Sequence, residues 1–457
     1  MKTPSRRFIT VDYNDTLNST ITLRACLSPE HLARFLVDTI AQIDMSPFYN
    51  HYSTLGGKLY APQILLSLLL YGYMNETFSS RKIEKATYES IPFIYIAGGL
   101  HPDHDTISTF RKTFLSEFRQ VFVQILVLAQ ESGFLKMGDI SLDGTKVHAD
   151  ASKSKAISYK HLLKSKKRLE QEIDELLALS DFAKEDEDDV WPEGFVLEDE
   201  LSLRLERLEK LNQAESVLEQ RAEQRYEAEL AEYEEKIQKR LEKEQKTGKK
   251  SRGQPPKAPV PGPNDKDQHN FTDPDSRIMK NGTNKGFDQH YNAQIAVEHE
   301  SRLIVAAGLS NHPNDKKEAK PTLEAIPNEL GRPNSVSMDN GYYSENNVEH
   351  CEEMGIEAYI ATGREPHYKS WISFFEKGEA PKENASSLVK MAYKLKTTIG
   401  EAIYRLRKCT VEPVIGIVKE VMGFRQFSLR GLEAAEGEWY LVCLAYNIKR
   451  MKTLVNT

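Results

Sequence analysis

The sequence predicts a mixed α/β fold, in which an all-helical N-terminal domain precedes a mixed five-stranded sheet with flanking helices, and a helical insertion interrupts the sheet. Three patterns support this. Residues 291–297 alternate apolar and polar side chains with the period of two that is typical of a strand. Apolar residues between 162 and 241 recur at heptad-like spacing. Residues 140–143 and 336–339 both read apolar-Ser-apolar-Asp, with a glycine soon after.

Residues 1–135 form the predicted helical N-terminal domain. Helices are expected at 31–43, 62–73, 79–88 and 106–130, the last two with capped starts. Several short helices with basic residues at their N-termini are compatible with a helix-turn-helix DNA reader. They are equally compatible with a plain helical bundle that supports the next domain, and the sequence leaves both interpretations open.

The helical insertion is predicted at 151–250. Its first heptad-like run consists of Leu162, Leu169, Ile173 and Leu176. A second run starts at Leu201 and continues to Leu241, after an acidic turn region at 185–200. We expect an antiparallel, coiled-coil-like helical hairpin followed by a Pro-rich linker at 251–270. Two solvated helices without a partner are the simpler alternative.

The sheet domain is predicted to combine residues 136–150 with 271–457. Its strands are expected at 139–143, 291–297, 302–309, 335–339 and 358–361, and the second and third of these read as an antiparallel hairpin. Helices at 316–326 and 344–354 should follow the third and fourth strands. The sheet therefore mixes strand directions.

The formal net charge of −7 hides a strong local asymmetry. Residues 171–240 carry 23 acids and 9 bases, whereas residues 390–430 carry 9 bases and 3 acids. Because a ligand responds to the local field, an acidic total does not exclude nucleic-acid binding by the basic stretch.

Two function classes are disfavoured by composition. No uninterrupted apolar run is long enough to span a bilayer. The four cysteines show no C-x-x-C spacing, so neither a disulfide framework nor a zinc site is predicted. We expect a cytoplasmic protein with no membrane partner.

The two Ser-x-Asp segments indicate a pair of metal-binding carboxylates. Side chains alternate between the faces of a strand, so Ser141 and Asp143 share one face, as do Ser337 and Asp339. Two strands that each end in a carboxylate at a glycine turn can bring both acids to one sheet edge. Such an edge can hold a divalent metal ion.

Glu412 is the best candidate for a third carboxylate. In a helix continuous from Tyr404, it would lie on a face that also carries Lys408 and Lys419. Pro413 argues against a continuous helix, and Thr410 is then a candidate start for a new helix with Glu412 in its first turn. In either arrangement the acid lies among bases that can bind phosphate groups.

These residues resemble bacterial insertion-sequence transposases of the RNase H-like DDE superfamily, in particular their Y-R-E-K signature subgroup. Residues 339–344 resemble the family's D-x-G-Y/F region, 404–419 its Y-R-E-K signature, and 143–146 the strand with its first aspartate. Further similar stretches are 80–84, 104–111, 271–277, 286–287, 291–294, 361–364, 423–427, 430–431, 438–439 and 445–450. The resemblance spans nearly the whole chain, and its motifs are specific together rather than singly.

The resemblance implies an RNase H-like fold and a DNA transposase. Asp143, Asp339 and Glu412 would be the catalytic residues and would hold two Mg²⁺ ions, for which Mn²⁺ can substitute. One metal would activate the water that cuts the strand at each element end, and the freed 3′-hydroxyl would attack target DNA. The partners implied are double-stranded DNA, as terminal repeats and target, and further copies of this chain, as a homodimer or higher assembly on DNA. The protein would then associate with the nucleoid.

The resemblance also implies the residues that bind DNA. Tyr404, Arg407, Lys408 and Lys419 would position end phosphates, and Arg81 and Arg111 belong to the similar N-terminal motifs. The family spacing places three residues between the arginine and the glutamate. Arg407 leaves four and Lys408 leaves three, so the sequence does not decide which base takes the arginine's role.

Alternatives remain at the level of function and of single residues. A metal-dependent nuclease without strand transfer needs the same three acids, and a catalytically silent DNA-binding derivative needs none of them. Asp150, Asp273 and Asp275 compete with Asp143 as the first acid. Residues 312–315 follow a strand and are interpreted as a turn with a helix cap, with an approach to the metals as the alternative.

Overall fold

The structure is a computed structural model of the 457-residue chain. It describes residues 8–9, 11–13, 22–53, 57–182, 194–248, 254–280, 286–363, 380–382 and 385–455. The chain divides into two compact units, one combining Met1–Asp150 with Asp275–Thr457 and the other formed by Ala151–Pro274. The N-terminal helices and the sheet, which the sequence suggests are separate domains, therefore belong to the same unit.

The N-terminal part of the first unit is mainly helical. Its helices are α1 (Leu32–Ile40), α2 (Ser46–Tyr49), α3 (Pro62–Met74), α4 (Ser80–Glu89), α5 (Ile91–Ala97), α6 (His104–Thr113) and α7 (Leu115–Glu131). Two short strands, β1 (Phe8–Ile9) and β2 (Leu59–Tyr60), pair in parallel, so the region is not purely helical. The single helix predicted at 106–130 is broken at Phe114, which leaves helical dihedral angles (φ −105°, ψ 37°) and packs its ring beside Phe48 and Phe110.

Helix α3 explains the longest apolar run of the sequence. All of its residues except Gln63 are buried, because neighbouring helices surround it. A helix that is apolar on nearly all sides belongs to a protein core. None of the helices in the described ranges combines the length and the apolar composition that a bilayer crossing requires.

The mixed α/β fold class is confirmed. The strands of the main sheet are β3 (Asp139–His148), β6 (Arg277–Lys280), β7 (Phe287–Glu298), β8 (Ile304–Ser310), β9 (Ser335–Met338) and β10 (Glu357–Ile360). β10, β9 and β3 run parallel, whereas β7 is antiparallel to β3, β6 and β8.

The described sheet has six strands where the sequence predicts five. The additional strand, β6, spans four residues and carries charged residues at both ends, so it lacks an alternating pattern that the sequence could reveal. β6 pairs with the first part of β7 and β8 with the rest, along the edge of β7 that does not face β3. The sheet is therefore five strands across.

The later helices of the first unit cover this sheet. They are α10 (Ala319–Glu324), α11 (Glu345–Glu353), α12 (Ser387–Lys394), α13 (Thr398–Leu406), α14 (Val411–Gly416) and α15 (Leu432–Val455). α15 is buried along most of its length. Its Asn447 side chain accepts a hydrogen bond from Ile304 N (2.9 Å) and donates one to Ile304 O (2.8 Å), which joins the helix to the start of β8.

The second unit contains the helical insertion. Its elements are β4 (Ala156–Ser158), α8 (Tyr159–Phe182), α9 (Leu197–Thr247) and β5 (Gln268–Asn270). α8 and α9 enclose an apolar core made of Leu162, Leu169, Ile173, Leu211, Ala214 and Leu218. The last residues of the predicted linker form β5, which pairs antiparallel with β4.

Some predicted features lie outside the described residues. These are most of the acidic turn region at 185–200, which is described only from Gly194 onward, the first residues of the linker at 251–253, and Arg364 at the end of one family-like motif.

Candidate active site

Asp339 directly follows β9, whereas Asp143 lies midway along β3. β3 continues to His148, so the prediction that this strand ends at Asp143 is wrong. The two aspartates follow the last paired residues of these adjacent parallel strands. β3 and β9 pair with Ser141 opposite Ser337 and Leu142 opposite Met338, so the next residue on each strand is an aspartate. Asp143 Oδ1 accepts a hydrogen bond from Gly144 N (2.9 Å). Asp339 Oδ1 accepts one from Gly341 N (2.7 Å) and caps a turn at Asn340–Tyr342. The alternation of strand side chains accounts for this arrangement.

Glu412 lies in the first turn of a new helix. α13 ends at Leu406, a tight turn spans Arg407–Cys409, and α14 begins at Val411. The continuous-helix interpretation is therefore wrong, because the chain breaks before Pro413, a residue that the first turn of a helix tolerates. Thr410 holds the position before the helix, but its side chain does not cap it.

Arg407 joins two of the three candidate carboxylates. Its Nη1 lies 2.9 Å from Asp143 Oδ2, and its Nη2 lies 2.9 Å from Glu412 Oε1. The Arg407 side chain is 11% exposed and that of Asp143 17%, whereas that of Glu412 is 46% exposed. The fixed fork of a guanidinium suits two carboxylates at once. The neighbouring Lys408 is exposed, so Arg407 is the base that the backbone directs at the acids.

The electrostatics of Asp143 reflect the convergence of all three acids. Burial raises the pKa of Asp143 from 3.8 to about 6; the Arg407 guanidinium opposes this shift, and the negative charges of Asp339 and Glu412 add to it. Charges act on a pKa in this way only when they are near. Segments that are far apart in sequence thus place three carboxylates within electrostatic reach of one another.

The raised pKa of Asp143 predicts how stability depends on pH. The folded protein holds this proton more tightly than the unfolded chain, so without metal the free energy of unfolding should fall as pH rises from about 4 to about 6 and stay level above that. The loss attributable to Asp143 should approach about 3 kcal/mol. Urea unfolding at a series of pH values should show this loss in the wild type and not in Asp143→Asn. If the free energies of unfolding of the two proteins differ by the same amount at every pH, the raised pKa of Asp143 is contradicted.

The candidate carboxylates fit a divalent metal ion in their chemistry. Carboxylate oxygens are the ligands that Mg²⁺ and Mn²⁺ prefer. Within the described ranges, no three His, Cys, Asp or Glu side chains are grouped so as to hold a metal ion as they stand. The Arg407 guanidinium, which lies between Asp143 and Glu412, supplies positive charge there instead. The acids therefore suit a divalent metal in their chemistry, whereas their arrangement around Arg407 is that of an ion-pair network.

Asp315 is a fourth carboxylate beside the site, on the opposite face of the sheet from Asp143. Its Oδ1 accepts hydrogen bonds from Asn292 Nδ2 (2.7 Å) and Gln294 Nε2 (3.1 Å), and Lys146 Nζ lies 3.5 Å away. The sequence suggests a turn with a helix cap here, with an approach to the metals as the alternative, and a short helical turn does begin at Asp315. Its position shortly after β8, which ends at Ser310, was the signal that the sequence contained.

Gly144 provides a test of how tightly this face is packed. A Cβ at Gly144 would lie 2.4 Å from Gln294 Nε2 and 2.9 Å from Asp315 Oδ1. Gln294 is buried and hydrogen-bonded to Asp315, so it cannot move freely. We expect Gly144→Ala to lower the free energy of unfolding by about 1–3 kcal/mol.

Gly308 is the matched control for this prediction. It lies in β8, directly opposite Gln294, and a Cβ there would meet nothing within 4 Å. Gly308→Ala should change the free energy of unfolding by less than about 0.5 kcal/mol. Equal effects of both substitutions in denaturant unfolding would contradict the packing described for Gly144.

The other predicted phosphate-binding residues surround α14. Lys419 Nζ donates to Lys146 O (2.8 Å), and burial lowers the pKa of Lys419. The Tyr404 ring lies 5.8 Å from the Arg407 guanidinium carbon. Lys408 is exposed beside them. Of these four residues, Arg407 contacts Glu412 directly and Lys419 contacts β3, and Lys408 is the one that is exposed.

The two N-terminal arginines differ in environment. Arg81 is exposed in the first turn of α4. Arg111 is only 6% exposed, and its Nη1 donates to Phe78 O (2.9 Å). Burial acts to lower the pKa of Arg111, but the neighbouring Tyr73 and Glu438 together raise it above its usual value. A buried guanidinium with internal partners has no surface for a DNA backbone, so the expectation that Arg111 contacts DNA does not agree with the structure.

The competing first acids have other partners. Asp150 Oδ2 pairs with Arg430 Nε (2.8 Å). Asp275 Oδ2 accepts a hydrogen bond from Leu432 N (3.1 Å). Asp273 is buried within the second unit. Neither Asp150 nor Asp275 is among the groups that shift the Asp143 pKa.

Comparison with known families gives two matches. A family model described as Transposase DDE domain matches residues 258–448, and one described as Transposase domain (DUF772) matches residues 21–113. The first range contains Asp339 and Glu412 but not Asp143. No curated protein and no solved structure matches the chain.

Fold and family matches agree with each other. The helical N-terminal part, the mixed sheet and the long helical insertion are consistent with a DDE transposase. The family is one of DNA transposases, polynucleotidyl transferases that generally use divalent metal ions. Membership of the Y-R-E-K subgroup stays a prediction. On the two family matches, the chain belongs to the DDE superfamily of insertion-sequence transposases.

Proposed function

We propose that this transposase cuts DNA at the ends of an insertion element and joins the freed 3′-hydroxyl ends to target DNA. The observation that carries the proposal is that Asp143 and Asp339 follow paired residues of adjacent strands while Arg407 bridges Asp143 to Glu412. Phosphoryl transfer depends mainly on positioning and on stabilising negative charge. Three acids beside several bases offer both.

Asp143, Asp339 and Glu412 are the proposed catalytic residues and ligands of two Mg²⁺ ions, with Mn²⁺ as a substitute. Bound there, the ions would supply Lewis-acid activation of the attacking oxygen and stabilise the leaving oxygen. Gly144 N and Gly341 N each hold one carboxylate oxygen of the two aspartates, which fixes the direction of the remaining oxygen. Glu412 is the most exposed of the three proposed ligands, and its side chain would turn toward the metal ions.

Arg407 is proposed to exchange partners when DNA binds. Its two terminal nitrogens bind carboxylates in the structure, and a phosphate offers the same paired oxygens. Tyr404, Lys408 and Lys419 are proposed to position phosphates of the element end together with it. Arg81, exposed at the start of α4, is a candidate for contact with the DNA backbone outside the site.

Pairing of two element ends requires more than one copy of the active site. We propose a homodimer or higher assembly that forms on DNA and resides at the nucleoid. The basic stretch at 390–430 would meet the DNA, whereas the acidic stretch at 171–240 would repel it. Binding should accordingly weaken as the salt concentration rises.

The test uses purified full-length protein and a linear DNA that carries the element's terminal repeats. With Mg²⁺ and a target plasmid, we expect nicks or breaks at the repeat ends, followed by joined products that sequencing can map. A DNA of equal length with scrambled ends is the matched control. Chelation should stop the reaction, and Mn²⁺ should restore it.

The outcomes separate the candidate functions. Cutting at the ends without any joined product would identify a nuclease on the same fold. Binding without cutting at any metal concentration would identify a catalytically silent derivative. Equal cutting of repeat and scrambled DNA would contradict a transposase that recognises its own ends.

A further inference from the structure

Two buried serines lie two residues before the candidate aspartates Asp143 and Asp339. Ser141 and Ser337 are neighbours across the parallel pair of β3 and β9, and both are fully buried. A buried hydroxyl is costly unless it is hydrogen-bonded. The backbone hydrogen bonds between β3 and β9 do not involve either serine side chain. The serines of the repeated Ser-x-Asp pattern therefore require a separate explanation.

The serines form a hydrogen-bonded cluster with Thr410, here called the hydroxyl cluster. Ser141 Oγ lies 2.7 Å from Ser337 Oγ and 3.0 Å from Thr410 Oγ1. His299 Nε2 is a third neighbour of Ser141 Oγ, at 2.8 Å. A hydroxyl has one hydrogen and two acceptor positions, so these three partners use the full capacity of Ser141. Burial lowers the pKa of His299, which favours the neutral ring.

Thr410 connects the cluster to the helix that carries Glu412. It precedes α14 but does not cap the helix with its side chain, although threonine is a preferred cap residue. Its Oγ1 turns instead toward Ser141 and also lies 2.9 Å from Leu406 O, on the preceding helix. Thr410 itself is 2% exposed. The start of α14 is therefore attached to both aspartate-bearing strands through side-chain hydrogen bonds.

We infer that Ser141, Ser337 and Thr410 are positioning residues that set the place of Glu412 relative to Asp143 and Asp339. Each hydroxyl lies two residues before one of the three acids, on the element that carries that acid or directly ahead of it. The cluster thus links the three acid-bearing segments to one another two residues before each acid. This inference rests on the proposed function of those acids.

Thr410→Val tests the inference because it keeps the shape and removes the hydroxyl. We expect the Mn²⁺ concentration for half-maximal DNA cutting to rise about 10- to 100-fold, the range typical of residues that support metal ligands. Thr410→Ser keeps the hydroxyl and should restore most of the wild-type metal dependence. The affinity of the protein for Mn²⁺ without DNA can be measured by electron paramagnetic resonance. This affinity should fall strongly in Thr410→Val and only slightly in Thr410→Ser.

Thr39→Val is the matched control. Thr39 is also buried, and its Oγ1 donates to Phe35 O (2.7 Å) within its own helix α1. It should lose stability much as Thr410→Val does, without any change in Mn²⁺ dependence. If Thr410→Val does not fold, Ser141→Ala and Ser337→Ala take its place.

The same experiments separate this inference from the proposed function. Asp143→Asn should lose Mn²⁺ binding, and unchanged binding in that variant would overturn the proposed function itself. If Asp143→Asn loses binding while Thr410→Val keeps wild-type Mn²⁺ affinity and cutting, the positioning role is wrong. A loss in Thr410→Val that Thr410→Ser does not rescue would also overturn it, since shape rather than the hydroxyl would then be responsible.

Discussion

Asp339→Asn should reduce DNA cutting by more than about 100-fold while DNA binding persists. Outer partners of metal ligands already cost 10- to 100-fold when they are removed, and a direct ligand should cost more. Asp143→Asn and Glu412→Gln should have comparable effects, because the three acids form one charged group around Arg407. Cutting can be followed on end-labelled DNA, and binding by a gel shift with the same DNA.

Asp150→Asn is the matched control for this series. Asp150 follows shortly after Asp143 in sequence, but its carboxylate pairs with Arg430 at the surface. Its substitution should leave cutting within a few-fold of wild type. Normal cutting by Glu412→Gln would show that the third acid lies elsewhere, and loss of DNA binding in all variants would point to a folding defect.

Arg407→Ala should give the second large effect, a loss of about 3 kcal/mol in the free energy of unfolding without metal. Removal of one partner from a buried ion pair typically costs about 3–5 kcal/mol, and the half-exposed Glu412 places the expectation at the lower end. The variant leaves Asp143 and Glu412 without their shared cation. Denaturant unfolding in the presence of a chelator measures the loss.

Divalent metal should partly compensate for the missing guanidinium. If the acids take up metal where Arg407 now lies, Mn²⁺ should stabilise Arg407→Ala more than it stabilises the wild type. Lys408→Ala is the control, since Lys408 is exposed and should change stability by less than about 0.5 kcal/mol. An Arg407→Ala protein that is as stable as wild type, or indifferent to Mn²⁺, would show that the bridge is unimportant.

Local patterns were sufficient to predict five of the six described strands of the main sheet and the juxtaposition of Asp143 with Asp339, but not the length of β3. Period-two alternation is a property of neighbouring residues, so it marks β7, and the Ser-x-Asp repeat marks the place where the pairing of β3 with β9 stops. Proline chemistry likewise offered the correct alternative for Glu412, because Pro413 cannot lie inside a continuous helix. The fold class could thus be read from the sequence without knowing which residues touch.

Long-range partners could not be predicted in the same way. Arg407 meets Asp143 across 264 positions of sequence, and no local pattern shows which way a guanidinium points. Burial of Arg111 depends on its packing within the helical region, so its place in a family-like motif suggested a surface role that it does not have. Helix α6 ends before Phe114 for a similar reason, since its ring joins an aromatic cluster assembled from other helices.

The order of segments along the chain has a consequence for synthesis on the ribosome. β3 lies between β7 and β9, yet both neighbours are encoded after the second unit. At about 5–20 residues per second, the central strand remains without partners for on the order of ten seconds. The helical hairpin, whose contacts are local, can fold in that interval. The nascent chain should therefore depend on chaperones most while the insertion is being made.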